Sequence, residues 1–181
     1  MNPEQRRAER KKLRADLEMM VASLRQERTK LERLHSAIAR GNIDEVVALS
    51  AELANEQPDF LETPDPKGNT ALMIAAYNAN SKLVHWLLDV GANVNTRAIN
   101  GDTPLHVIAF TGKLDVMSEL LDHGADIESE TTDGRRPIHL AIASGYKRAF
   151  NLLLSWGARF DPTEEHSVQA AKIGKYIKRV R

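Results

Sequence analysis

Apolar residues at Leu13, Leu17, Met20, Leu24, Leu31, Leu34 and Ile38 follow steps of mostly four and three, and Glu27 takes the one polar position on the seam. That spacing collects them on one side of a helix. Asn2-Pro3-Glu4 supplies a start, with a capping side chain, a proline whose missing N–H costs nothing in a first turn, and an acid. Neither glycine nor proline interrupts Glu4 to Arg40. The pattern predicts one helix of roughly 37 residues, about 55 Å long at 1.5 Å per residue. Its acids Glu4, Glu9, Asp16, Glu18, Glu27 and Glu32 are followed four places on by Ala8, Leu13, Met20, Ala22, Leu31 and Ser36. Acid-before-base pairs that would hold up a free-standing charged helix are therefore missing. The stripe Leu13, Leu17, Met20, Leu24 and Leu31 is expected to be covered by another helix, from a second copy or from a different protein.

Beyond this helix the pattern changes to one that repeats every 33 residues. Gly101-Asp102-Thr103-Pro104-Leu105-His106 leads to Leu120-Leu121 and Gly124-Ala125; the same frame returns at Gly68 to Ala92 and at Gly134 to Ala158. Each unit opens with turn chemistry (Asp65-Pro66-Lys67-Gly68-Asn69, Asn100-Gly101-Asp102, Asp133-Gly134), passes through two short apolar helices and closes on Gly-Ala. Leu34 to Gly41 has the form of Leu105 to Gly112, so a degenerate first unit begins inside the long helix. The stretch Ala51 to Pro66, with Pro58, Pro64 and Pro66, is expected to be an exposed excursion rather than a helix. One such unit cannot bury its apolar face, whereas three or more can.

The expected class is all-α: a solenoid of stacked helix pairs with short β-hairpin turns, preceded by a long N-terminal coiled-coil-like helix. Its divisions are a charged amphipathic helix over 1–31, a repeat domain over 32–163 with units near 32–64, 65–97, 98–130 and 131–163, and a basic capping helix over 164–181. The cap follows from Val168, Ile173, Tyr176, Ile177 and Val180 on one side and Lys172, Lys175, Lys178, Arg179 and Arg181 on the other.

Composition changes this picture little. The 181 residues are 42% hydrophobic and contain no cysteine, which removes disulfides, thiol catalysis and cysteine zinc sites together. No apolar run reaches membrane-spanning length, and Met1-Asn2-Pro3-Glu4-Gln5-Arg6 lacks the apolar core of a secretory signal, so an intracellular, cytoplasmic protein is expected. The net charge of zero hides an acidic body between two basic ends: residues 1–34 stand at +4, 35–162 at −7 and 163–181 at +3. A polyanion, either nucleic acid or an acidic polymer, is therefore a candidate only for the ends, as an alternative to protein binding.

The signature Gly-x-Thr-Pro-Leu-His, then Gly, then Leu-Leu-x-x-Gly-Ala, nearly complete at Gly101 to Ala125, resembles the ankyrin repeat. Ala71 and Met73 replace its proline and histidine in one copy and Arg136 its threonine in another. The resemblance covers roughly residues 32–163 and implies a hairpin and helix pair per unit, a curved slab, and protein binding through hairpin tips and the exposed ends of the first helices. Carried onto this chain, the partner-binding candidates are Lys67, Asn69, Tyr77, Asn78, Ile99, Asn100, Asp102, Phe110, Thr111, Asp133, Arg135 and Ser144, with Pro66 beside them. Tyr77 and Phe110 hold equivalent places one unit apart. Trp86 is expected to face the stack and Trp156 to be left half covered.

His35, His106 and His139 recur in register, but three positions in different units do not converge within metal reach. The resemblance gives them a structural role, bonded to a threonine or to the backbone of the next hairpin. No nucleophile and base arrangement, nucleotide loop or catalytic acid pair occurs, so no enzyme activity, cofactor or metal is expected. The expected function is an adaptor: a slab for one protein partner and a helix for a second, within a larger assembly, cytoskeletal or ciliary. Self-association through the leucine stripe is a further alternative.

Overall fold

The computed structural model describes the backbone of residues 3–161 and the side chains of residues 9–161. Eight helices follow in order among the described residues: α1 (Pro3–Arg40), α2 (Ile43–Glu56), α3 (Ala71–Tyr77), α4 (Ser81–Asp89), α5 (Pro104–Thr111), α6 (Leu114–Asp122), α7 (Pro137–Ala143) and α8 (Lys147–Ser155). They pair as α1 with α2, α3 with α4, α5 with α6 and α7 with α8, and the first helix of each pair packs on the first helix of the next. The expected C-terminal cap over 164–181 lies outside the described residues.

Burial explains the stacking. Leu34, Ile38, Leu72, Leu105, Ile108 and Ile138 from the first helices, and Leu53, Leu83, Leu87, Met117, Leu120 and Leu153 from the second, are fully buried in one continuous core. At roughly 1.5–3 kcal/mol for each such side chain, burial across unit boundaries outweighs anything a single pair of helices gains alone. Trp86 packs partly on this core, while Trp156 stays exposed.

One sequence expectation needs correction. Ala51 to Glu56 is not an excursion: α2 runs on to Glu56 because Leu49 and Leu53, four apart, keep its apolar face buried, and it stops just short of Pro58. Phe60 and Leu61 in the following turn are buried as well. The hairpins are short tight turns, as the all-α class requires, and no described residue is in a strand. Each is closed by a backbone pair: Asp65 N–H to the Asn69 carbonyl (2.8 Å), Ala98 to Asp102 (2.8 Å) and Thr131 to Arg135 (2.9 Å).

The signature histidines tie these turns to the helices. Thr103 N–H donates to His106 Nδ1 (3.2 Å), which fixes the proton on Nε2, and Nε2 donates to the Arg135 carbonyl of the next hairpin (2.9 Å). His35 Nε2 reaches the Thr63 carbonyl in the same way (3.1 Å), and His139 Nδ1 accepts from Arg136 N–H (3.0 Å). Met73 replaces the histidine of its unit, and the buried Thr70 hydroxyl is left without a hydrogen-bond partner. Burial holds His35 and His106 below their ordinary value of 6.5. The folded chain keeps both neutral while the unfolded chain takes up protons near pH 6.5. Their contribution is fully present above that pH and is lost as pH falls through the lowered folded values. Thermal unfolding followed by circular dichroism should therefore show a lower Tm at pH 5 than at pH 7.5. His106→Gln should flatten this dependence; an unchanged slope would count against the assignment.

The turn between the two helices of a unit needs a left-handed residue, supplied by Gly41, Gly112 and Gly145 at φ 72°, 73° and 76°. In the second unit Ala79 holds that place at φ 54°. A left-handed alanine costs about 1–2 kcal/mol, partly offset by the greater freedom glycine has in the unfolded chain. Ala79→Gly is expected to stabilise the chain by about 0.5–1 kcal/mol, read from urea unfolding; a loss of stability would show the strain is already relieved by neighbours.

Candidate functional site

The inner face of the slab carries a groove of about 600 Å³ where α1 meets α3 and the first full hairpin. Its floor is Ile74, Tyr77 and Val107; its walls are Glu32, His35, Ser36 and Ala39 from the end of α1, and Asp65, Pro66, Lys67 and Asn69 from the hairpin. The floor follows from helix geometry. Leu72, Ala75 and Ala76 face the core, so Ile74 and Tyr77, three apart, share the opposite side of α3.

Four of the sequence-predicted residues, Lys67, Asn69, Tyr77 and Asn78, line this one groove. Ile99, Asn100, Asp102, Phe110 and Thr111 continue along the next unit, and Asp133, Arg135 and Ser144 along the last. Their availability differs. Asp65 Oδ1 accepts from the N–H groups of both Lys67 and Asn69 (2.8 Å each). Asn100 Nδ2 donates to Asp102 (2.6 Å), Asn78 Nδ2 to the Ile74 carbonyl (3.0 Å), and Arg135 pairs with Asp133 (2.7 Å). These polar groups build the turns. Tyr77, Phe110 and Ile99 are 64%, 56% and 84% exposed, and the Ile99 side chain lies against Gly68 of the preceding hairpin. Burial pushes the Asp65 carboxyl up, but the N–H groups of Asn69 and Lys67 outweigh it and hold it below 3.8.

Sequence reasoning missed three groups. The groove wall from α1 was one, because Glu32, Ser36 and Ala39 are unremarkable within a helical pattern. A second is a clamp between units: Glu62 accepts from Asn93 N–H (2.8 Å), Asn95 from Asp126 N–H (2.8 Å) and Glu128 from Arg159 N–H (2.6 Å). Positions 62, 95 and 128 obey the 33-residue period, so the signal was present as a recurring acceptor and not as a recurring residue. The third is Lys30, which bonds Glu56 of α2 (2.7 Å) and begins the grip of the slab on α1.

Along α1 the predicted seam divides. Leu31 packs against the core, whereas Leu13, Leu17, Met20 and Leu24 are 70%, 55%, 56% and 56% exposed. The expected acid-before-base pairs are indeed absent, but Arg14–Glu18 and Arg28–Glu32 pair in the reverse order at 3.1 Å, the weaker arrangement, and both are exposed. Among the described residues no cluster of three or more potential metal ligands occurs, and no helix is long and apolar enough to cross a membrane.

Helix pairs stacked in register, turned tightly at one edge and grooved on the inner face, define a repeat protein of the interaction class. The family model for ankyrin repeats (three copies) matches residues 15–98 and 93–164, and the chain belongs to the ankyrin-repeat family. None of the curated proteins compared with the chain matches it.

Proposed function

We propose that this protein is a non-catalytic scaffold whose inner groove binds a segment of one protein partner, while α1 is a rigid arm carrying a second attachment surface. The family supports a protein-binding module. The observation that carries the finer reading is the exposure of Tyr77, which lines the groove with Ile74 and Val107, and of Phe110 at the equivalent end of α5 one unit on. Rigid aromatic side chains on a concave apolar surface are the usual anchors of protein recognition. The groove mixes Lys67 with Glu32 and Asp65, which suits an amphipathic segment better than a polyanion. The division at about residue 31 follows the point where Leu31 enters the core. A continuous helix sets the distance and angle of whatever it holds, which suits a fixed place in a large assembly, cytoskeletal or ciliary.

Recovery of co-purifying proteins with the intact chain and with a Tyr77→Ala/Phe110→Ala variant tests this reading. Loss of a partner from the variant, with the slab still folded, supports it. An unchanged set of partners would refute the groove as the site.

A further inference from the structure

Resting on the reading of α1 as an attachment arm, we infer that the arm pairs with α1 of a second copy of this chain, antiparallel, over residues 10–27. The exposed stripe offers four apolar residues, Leu13, Leu17, Met20 and Leu24, bounded by Arg10 on one side and Glu27 on the other, all on one heptad seam. In an antiparallel pair the register that uses all four sets Leu13 against Leu24 of the second copy and Leu17 against its Met20, each contact occurring twice. The same register sets Arg10 against Glu27 of the second copy at both ends. Opposite charges then close the apolar layers.

A parallel pair gives the reverse result. In register it sets Arg10 against Arg10 and Glu27 against Glu27, and like charges on a seam oppose pairing. Space excludes it as well. Leu31, Leu34 and Ile38 continue the seam, and they are packed in the chain's own core beneath α2 and α3. A parallel neighbour would bring its own slab onto the same side and the same end as the first, whereas an antiparallel one carries its slab at the opposite end of the joined arm. The flanks are compatible: Arg14 falls beside Val21 and Asp16 beside Ser23, which are neutral pairs. At the end Glu9 meets Lys30, an opposite charge already bonded to Glu56.

The consequence is bivalency. The pair's two-fold axis lies between residues 18 and 19, about 19 Å along the helix from Leu31, so the slabs begin about 38 Å apart at opposite ends of the joined arm. Two grooves held that way favour a partner that presents its binding segment twice, because the second contact becomes intramolecular.

The chain contains no cysteine, so introduced thiols report pairing without background. Sedimentation equilibrium of the full chain is expected to show twice the monomer mass at high concentration, and Leu17→Glu to weaken that dimer at least about 100-fold by placing a charge in the apolar layers. Mixing Leu13→Cys with Leu24→Cys chains and oxidising gently should yield the mixed disulfide. Arg10→Glu should weaken the dimer, and Arg10→Glu/Glu27→Arg should restore it, since only the antiparallel register exchanges those charges across the seam. A strict monomer at all concentrations overturns the inference, as do disulfides joining like to like. If the chain is such a monomer and its Leu17→Glu variant also loses a co-purifying protein, that protein is the occupant; self-pairing is overturned and the arm keeps its role.

Discussion

Gly101→Val is expected to lower the free energy of unfolding by about 3–4 kcal/mol. Gly101 sits at φ 80°, where an ordinary residue costs about 1–2 kcal/mol and a β-branched one more. A Cβ there would also lie 2.8 Å from the Thr132 nitrogen and 3.1 Å from the Thr131 carbonyl carbon. Those are backbone atoms of the next hairpin and cannot rotate away. They are held close by the bond from Thr132 N–H to the Asn100 carbonyl (3.0 Å), so the third and fourth units would have to separate. Gly124→Val is the control: its φ is 82°, yet a Cβ at that position would meet nothing within 4 Å. Urea unfolding of the two variants separates conformational strain from contact. Equal losses would show that the close approach of the hairpins contributes nothing.

Tyr77→Ala/Phe110→Ala is expected to weaken the groove's partner at least about 100-fold, or about 2.7 kcal/mol, while leaving stability within about 0.5 kcal/mol. Both side chains are more than half exposed in the folded chain, so truncation opens no cavity. On binding they would lose that exposure, and aromatic anchors in the centre of an interface commonly cost about 2 kcal/mol or more each when removed. Val90→Ala is the matching control, since Val90 is 45% exposed at the end of α4 and outside the groove. Its affinity should be that of the unaltered chain. Titration calorimetry with the recovered partner decides it; equal affinities for all three chains would move the binding surface elsewhere.

Several features were legible from residues alone because their causes are local or strictly periodic. The unbroken α1 follows from spacing and from the lack of glycine and proline between Glu4 and Arg40. The placement of His106 beside Thr103 and the next hairpin was implied by the resemblance of its frame to the ankyrin signature. The extent of α2 was misread for the opposite reason. Prolines at 58, 64 and 66 suggested an open loop over the whole of Ala51 to Pro66, but the burial of Leu53, Phe60 and Leu61 against neighbouring elements overrides that local signal. Of the candidate hairpin residues, Asn69, Asn100, Asp102 and Asp133 are bonded within their own turns, leaving Tyr77, Phe110 and Ile99 as the apolar groups that reach outward.

What the sequence by itself determined is the repeating unit: its period, its helix starts and stops, and which residues face inward. Each of those depends on contacts within a unit or with one like it, so the information recurs at a fixed spacing. Only the tertiary structure decided which surfaces remain open. The wall that α1 lends to the groove, the clamps at Glu62, Asn95 and Glu128, and the boundary at Leu31 where one continuous stripe passes from exposed to buried all depend on what stacking has already covered, and no stretch of chain carries that alone.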